Sequence, residues 1–260
     1  MSTITRLPAD LPARIRTTAK ALQIDVDVVE LPGWRDRGRP ASTGTFRPVG
    51  GLWHHTGGSP DTPAYVDWMT LEGRPDLPAP LCQTAVGRRG VIYLCAAGRA
   101  NHAGVARAAG TVAAGDGNSL YWGTECLNTG SEGWSPAQYG AMVVLGVVKM
   151  DVLGTSAQAQ RMHRETSTTG KWDPGMLDAD DFRRDLARAH ARLHAKPDPE
   201  PQPFPLAARG LVELDDLQRA LDRMRTKGAP KVRQLVDEDL QRQLQQLRRG
   251  IRSLVDDDEG

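Results

Sequence analysis

Two short stretches of the chain concentrate side chains that could bind a metal ion or move a proton. The first holds His163, Lys171 and Asp173 within eleven residues, in a segment between two helix patterns. The second, Trp53-His54-His55-Thr56, ends a short apolar run. Zinc enzymes commonly hold their ion with three protein ligands and leave one position open to water. His54, His163 and Asp173 fit that inventory, although a His and an Asp at this spacing also occur without a metal.

Only one of the two adjacent histidines should reach such a metal. The run Val49-Gly-Gly-Leu-Trp53 predicts a buried strand that delivers the histidines at its end. Successive side chains of a strand point to opposite faces, so the second histidine should pack beneath the sheet. Asp173 precedes Pro174, which favours an extended backbone, and Gly175 should permit a sharp turn.

Strand and helix patterns alternate along the first 195 residues. Alternating or continuous apolar runs predict strands at 24–31, 49–53, 81–86, 91–96 and 119–127. Apolar residues at helical spacing predict helices at 10–22, 62–71 and 135–153, and a last one that starts at Asp178 or Asp180 and passes Leu193. The interleaving indicates an α/β domain with a mixed central β-sheet flanked by α-helices.

Composition excludes several classes of protein. The chain has 260 residues and a net charge of +1, from 33 basic and 32 acidic residues. This balance gives no electrostatic reason to expect a nucleic-acid partner. No run approaches the roughly 18 apolar residues of a membrane span, so stable membrane insertion is not expected. The N-terminus lacks an apolar signal region, and three cysteines without a CxxC pair indicate reduced thiols in a cytoplasmic setting.

A proline-rich segment marks the clearest boundary. Five prolines fall within residues 196–205 and predict an extended, semi-rigid linker. It separates a domain at 1–195 from a helical tail at 206–260. In the tail, leucine and isoleucine positions from 240 to 254 step by four and three, which is typical of a heptad seam. The tail is therefore predicted to be a helical hairpin or a short coiled coil, and self-association into a homo-oligomer stays open.

Four motifs follow one another in a set order. They are Trp53-His54-His55-Thr56, Asn101-His102-Ala103-Gly104, Gly123-Thr-Glu125-Cys-Leu-Asn128, and His163 followed by Lys171-Trp-Asp173-Pro-Gly175. Together they resemble the N-acetylmuramoyl-L-alanine amidase type 2 family, which includes phage lysozyme-amidases, cell-wall recycling amidases and peptidoglycan recognition proteins. The runs PGWRDRGRP, WHHTGG and AAGRANHAG are similar to the amidase modules of endolysins from phages of actinobacteria. The resemblance covers residues 20–195 and not the tail.

The resemblance implies a role for each matching residue. The family's first zinc ligand is the His two residues before Thr or Ser, which selects His54. His163 matches the second ligand, and Asp173 matches a third ligand that is Cys or Asp before Pro-Gly. Glu125 would take a proton from water and return it to the leaving amine. Lys171 would stabilise the oxyanion as a fixed positive charge.

Three further residues are candidate substrate-binding residues. His102 could form the cleft wall and contact substrate, or be a structural histidine. Asn128 could contact substrate or only anchor a turn, and His55 lies beside the metal position. Cys82 occupies a position where many family members carry a site tyrosine. Its thiol cannot act as a phenol, so either the role of the tyrosine is dispensable beside Glu125 or Cys82 merely lines the cleft. A thiolate ligand from Cys82 is a less favoured alternative.

The implied function is zinc-dependent hydrolysis of the amide between N-acetylmuramic acid and L-alanine in peptidoglycan. The resemblance implies a bacteriolytic phage or prophage endolysin that accumulates in the cytoplasm and reaches the wall through a membrane lesion. The alternative is a non-catalytic peptidoglycan-recognition module with a helical oligomerisation tail. Loss of His54, His163 or Asp173 would favour that alternative, and all three residues are present.

Overall fold

The fold is built around one mixed β-sheet. The structure is a computed structural model that describes residues 4–58 and 60–195. The predicted linker at 196–205 and the predicted helical tail at 206–260 lie outside the described residues. The strands are Asp27–Glu30 (β1), Gly50–His55 (β2), Gly73–Arg74 (β3), Leu77–Pro78 (β4), Thr84–Val86 (β5), Val91–Leu94 (β6), Val105–Ala106 (β7), Gly115–Asp116 (β8), Tyr121–Cys126 (β9) and Gln160–Met162 (β10).

The α-helices of the described residues are Leu11–Leu22 (α1), Pro63–Asp67 (α2), Gly117–Leu120 (α3), Pro136–Leu153 (α4), His163–Thr166 (α5) and Ala179–His194 (α6). The four α-helices predicted for residues 1–195 are present, together with two short α-helices, α3 and α5, that were not predicted. A π-helical turn at Trp68–Glu72 continues α2. Two short 3₁₀ helices lie at Ala41–Thr43 and Ala157–Ala159.

Side-chain caps explain where the longer helices begin. Ser135 accepts a hydrogen bond from the Gln138 amide at the start of α4. Asp178, one of the two predicted caps, accepts from the Asp180 and Asp181 amides at the start of α6. Each of these caps satisfies amides that the first helical turn leaves unpaired.

The central sheet has the strand order β1-β6-β5-β9-β2-β10. The β5–β6 pair is the predicted hairpin and is antiparallel, whereas the other neighbours are parallel. The predicted mixed sheet flanked by helices is therefore confirmed. Within the central sheet, the edge strand β10 is the strand that sequence patterns missed, because three residues inside a predicted loop are too short to show a period of two.

Helices α1, α4 and α6 pack together over one face of the sheet. The close approach of α4 to α6 depends on Gly146, because a Cβ at this position would clash with Leu186. The opposite face carries a smaller apolar cluster around Val66, Met69 and Cys82. Within the described residues, no helix combines the length and apolar character needed to cross a bilayer.

A buried lysine lies between α4 and the central strands. Lys149 is completely buried, and its Nζ lies 3.8 Å from the centre of the Trp53 ring. The same ammonium donates a hydrogen bond to the Trp122 carbonyl oxygen at 3.2 Å. Burial lowers the pKa of Lys149 well below its ordinary value, because the charged form loses its hydration.

Lys149→Met should change how stability depends on pH. Lys149 holds its proton more weakly in the folded chain than in the unfolded chain, whose pKa is near 10.5. The free energy of unfolding should therefore rise with pH below that value, and the substitution should reduce the slope by up to about 1.4 kcal/mol per pH unit. Urea unfolding at several pH values from neutral to alkaline measures this slope. Lys20→Met, at an exposed position of α1, should leave it unchanged; equal slopes in all three proteins would contradict the prediction.

Candidate metal centre

Three buried donor atoms converge at the carboxyl end of the sheet. Nδ1 of His54 lies 3.1 Å from Nδ1 of His163. Each of these nitrogens lies 3.0 Å from Oδ2 of Asp173. All three residues are at least nine-tenths buried. The structure therefore brings together the three residues whose types suggested a metal site.

Strand pairing places two of these donors side by side. Met162 of β10 pairs with Trp53 of β2, so His163, the next residue, lies beside His54. On the other side of β2, His54 pairs with Glu125 of β9. Paired residues of neighbouring strands project from the same face, so the backbone directs all three side chains to one region.

An ion-pair network holds the segment that carries His163. Oε2 of Glu165 accepts a hydrogen bond from the Met162 amide at 2.8 Å. The same oxygen pairs with the guanidinium of Arg183 on α6 at 3.0 Å, and Oε1 pairs with Arg161 at 2.6 Å. Sequence patterns did not reveal this network, because its members lie on separate elements.

Arg164 and Gly175 hold the loop that carries Asp173. The Arg164 amide donates to the Asp173 carbonyl oxygen at 2.8 Å, and its guanidinium donates to the carbonyls of Pro174 and Leu177. Gly175 and Met176 form the turn, as expected, and the positive φ of 55° belongs to Met176. Glycine is needed at 175 for close approach, since a Cβ there would clash with the Gly130 carbonyl oxygen.

His55 lies on the other side of β2 from the donor cluster. Its Nδ1 accepts a hydrogen bond from the Gly175 amide at 3.0 Å, and its ring packs edge-on against Trp172 with centroids 4.3 Å apart. His55 is buried and faces away from the donor cluster, as alternation along the strand predicted, and there it supports the Asp173 loop.

His102 forms a hydrogen bond with His54 and determines which ring nitrogen of His54 carries the proton. Nε2 of His102 lies 3.3 Å from the Tyr121 carbonyl oxygen, which can only accept, so this nitrogen is the donor. Burial lowers the pKa of His102 well below its usual value, so its Nδ1 is a lone-pair acceptor. That nitrogen lies 3.2 Å from Nε2 of His54, which therefore carries the proton.

With its proton on Nε2, His54 directs the lone pair of Nδ1 into the cluster. Burial and the neighbouring His163 lower the pKa of His54 to about 4, so His54 is neutral at pH 7. Burial raises the pKa of Asp173, but its hydrogen bond with His163 helps to hold this pKa well below the usual value, so Asp173 is a carboxylate. A lone pair and a carboxylate oxygen thus face one another at 3.0 Å, an arrangement that a shared cation stabilises.

The donor set fits a zinc ion. Two imidazole nitrogens and one carboxylate oxygen are common zinc ligands, with bonds of about 2.0–2.2 Å in a tetrahedron. Such bonds require the donor atoms to lie roughly 3.3–3.5 Å apart. The three donors now lie 3.0–3.1 Å apart, so each pair would have to move apart only slightly to bind zinc. Metal-bound histidines usually donate a hydrogen bond from the ring nitrogen that does not bind the metal. The bond from His54 Nε2 to His102 fits this pattern.

Glu125 and Lys171 place a carboxyl group and a positive charge near the cluster. Oε2 of Glu125 is buried and has no hydrogen-bond partner among the described residues. Burial and the nearby Asp173 raise the pKa of Glu125 to about 8, while Lys171 opposes the rise. Lys171 itself is exposed. A buried carboxyl that titrates near neutral pH is suited to proton transfer.

Asn128 and Cys82 are buried and are not among the donors of the cluster. The Asn128 amide donates to the Gly133 carbonyl and its oxygen accepts from the Gly130 amide, each at 2.7 Å. Asn128 therefore has the contacts of a turn anchor. Cys82 is completely buried in the apolar cluster beside α2, next to Cys95, and the interaction with Cys95 raises its pKa well above the usual value. Cys82 also interacts with Glu125, and all three cysteines are buried and unpaired.

Comparison with known proteins identifies the family. Residues 46–176, about half of the chain, match the family described as N-acetylmuramoyl-L-alanine amidase. The chain belongs to this family, as its motifs predicted, and the matched segment contains the complete donor cluster together with Glu125 and Lys171. No curated protein sequence matches the chain.

Several solved structures are similar to this chain. A selenomethionine AmpD derivative is 19% identical over 62% of this chain and 93% of its own, with a TM-score of 0.47. The endolysin amidase LysCS from Clostridium intestinale is 19% identical over 62% and 95%, with a TM-score of 0.45. The Ph2119 endolysin from the Thermus scotoductus bacteriophage Ph2119 is 18% identical over 62% and 99%, with a TM-score of 0.43.

His102→Ala should weaken zinc binding without unfolding the protein. The substitution removes the acceptor that fixes the proton on His54 Nε2, and loss of such an outer partner typically lowers metal affinity about 10- to 100-fold. Competition with a zinc-binding dye measures the affinity, and circular dichroism monitors the fold. Asn101→Ala, at the neighbouring residue, serves as the control. A His102→Ala protein that is folded and binds zinc with the wild-type affinity would contradict the proton arrangement described above.

Proposed function

We propose that this protein is a zinc-dependent N-acetylmuramoyl-L-alanine amidase. It would hydrolyse the amide between the lactyl group of N-acetylmuramic acid and the L-alanine of the stem peptide. The observation that carries the proposal is the buried cluster of His54, His163 and Asp173 with the unpartnered carboxylate of Glu125 beside it. Family membership supports the same chemistry.

His54, His163 and Asp173 would hold the ion. When bound, zinc supplies Lewis acidity and lowers the pKa of water. Glu125 Oε2 accepts a proton from the attacking water and returns it to the leaving amine nitrogen. The raised pKa of Glu125, about 8, lets the same carboxyl act as base and then as acid.

The remaining site residues orient the reacting groups. Lys171 provides a positive charge close enough to oppose the rise in the pKa of Glu125, and it would stabilise the oxyanion. His102 fixes the direction and proton arrangement of His54. Asn128 and His55 shape the neighbouring loops through their amide contacts, and would act on the substrate through those loops.

We place the activity in the domain at 1–195 and propose that it acts on cell-wall peptidoglycan as an endolysin of phage or prophage origin. Its resemblance to endolysins of actinobacterial phages supports this assignment. The linker at 196–205 would connect the catalytic domain to the tail at 206–260. That tail is proposed to mediate association between chains.

Glu125→Gln should abolish catalysis while sparing binding. The amide has nearly the shape of the carboxyl group but cannot accept the proton, so release of stem peptides should fall by at least about 10²-fold. Free stem peptides from purified cell wall are quantified by mass spectrometry, with zinc content and wall binding measured in parallel. Glu72→Gln, an exposed position, is the matched control. A wild-type protein that binds wall and releases no stem peptide would instead support the recognition-module alternative.

Removal of the metal should inactivate the full chain reversibly. Dialysis against a chelator is expected to abolish peptide release, and added Zn²⁺ should restore it, whereas Mg²⁺ should not because imidazole nitrogens are poor Mg²⁺ ligands. His163→Ala should remain inactive after zinc is added, since it lacks one of three ligands. Full activity of the chelated wild-type protein, verified as metal-free, would overturn zinc dependence.

A further inference from the structure

Two histidines lie outside the catalytic region and meet at one carboxylate. Of the six histidines in the chain, four surround the donor cluster already described. The other two, His190 and His194, are one turn apart on the same face of α6. Nε2 of each ring lies 2.9 Å from the same oxygen, Oδ1 of Asp151 on α4.

The local charges favour a cation at this point. Asp151 lies in the last turn of α4, and His194 is the last residue of α6. The carboxyl end of a helix carries a partial negative charge, so two such ends meet beside a carboxylate. Arg14 of α1 interacts with Asp151, but its stronger partner is Asp10, at 2.9 Å.

A metal ion would stabilise this arrangement of two histidines and one carboxylate better than protons on both imidazole rings. Two imidazolium rings with centroids 4.3 Å apart would repel one another while sharing a single carboxylate oxygen. A divalent ion would interact with both nitrogens and with the oxygen, and would need no proton on either Nε2. The three donor atoms already lie within 4.8 Å of one another.

We propose that Asp151, His190 and His194 form a second divalent-metal site, of the zinc class, that joins α4 to α6. Two imidazoles and one carboxylate favour zinc, copper or nickel over magnesium or calcium. The side chains are 31%, 31% and 54% exposed for Asp151, His190 and His194. An ion can therefore enter from solvent, and water can complete its coordination. This exposure also predicts weaker binding than in the buried cluster.

Zinc titration of the full chain tests the proposal. After removal of metal, calorimetry with Zn²⁺ alone should show two classes of site in the wild-type protein, one tight and one weaker. The double variant His190→Gln/His194→Gln should lose only the weaker class and should retain stem-peptide release. His163→Ala should show the converse, with the tight class lost. The two sites, and hence the two proposals, are thereby distinguished.

A second measurement needs no substitution at the proposed site. Substoichiometric zinc should fill the tight site first, and further zinc should then shift the imidazole proton resonances of His190 and His194. Arg188→Gln, an exposed substitution on the same helix, should leave the weaker class intact. The proposal is overturned if the wild type binds one zinc ion only, or if the double variant binds as many ions as the wild type.

Discussion

A lone pair on His54 that faces the carboxylate of Asp173 is the constraint on which the site depends. Two acceptor atoms at 3.0 Å repel one another unless a positive charge lies between them. His102 and the Tyr121 carbonyl prevent His54 from turning its proton into the cluster. The fold therefore creates a position where a cation is favoured, and family membership relates that position to amide hydrolysis.

The surrounding structure keeps the donors in place by several independent means. Parallel pairing of β2 with β9 and β10 sets His54, Glu125 and His163 along one sheet edge. The Glu165–Arg183 pair ties the His163 segment to α6, and Arg164 ties the Asp173 loop to the same segment. Each donor is thus supported by contacts with residues that are not themselves ligands, which keeps the cluster preorganised.

Sequence reasoning succeeded where the signal is local. Ser135-Pro136 and Gly154 bound α4, and the two apolar runs around Gly87 and Gly90 form the β5–β6 hairpin. Alternation along β2 predicted that one of the adjacent histidines would face away from the other. Reasoning failed for β10, whose three residues carry no period, and it did not reveal the close approach at Gly175, which depends on a carbonyl group of a distant loop.

Periodicity and motifs are sufficient to predict the mixed sheet with its helices, the family, and the types of side chain available for a metal and for proton transfer. Which atoms meet depends instead on contacts between elements. The partnership of His54 with His102, the internal contacts of Asn128, the burial of Cys82 and the convergence of His190 and His194 on Asp151 all depend on strand register and helix packing. Periodicity encodes the face on which a residue lies, whereas distances between elements follow from how those faces pack together.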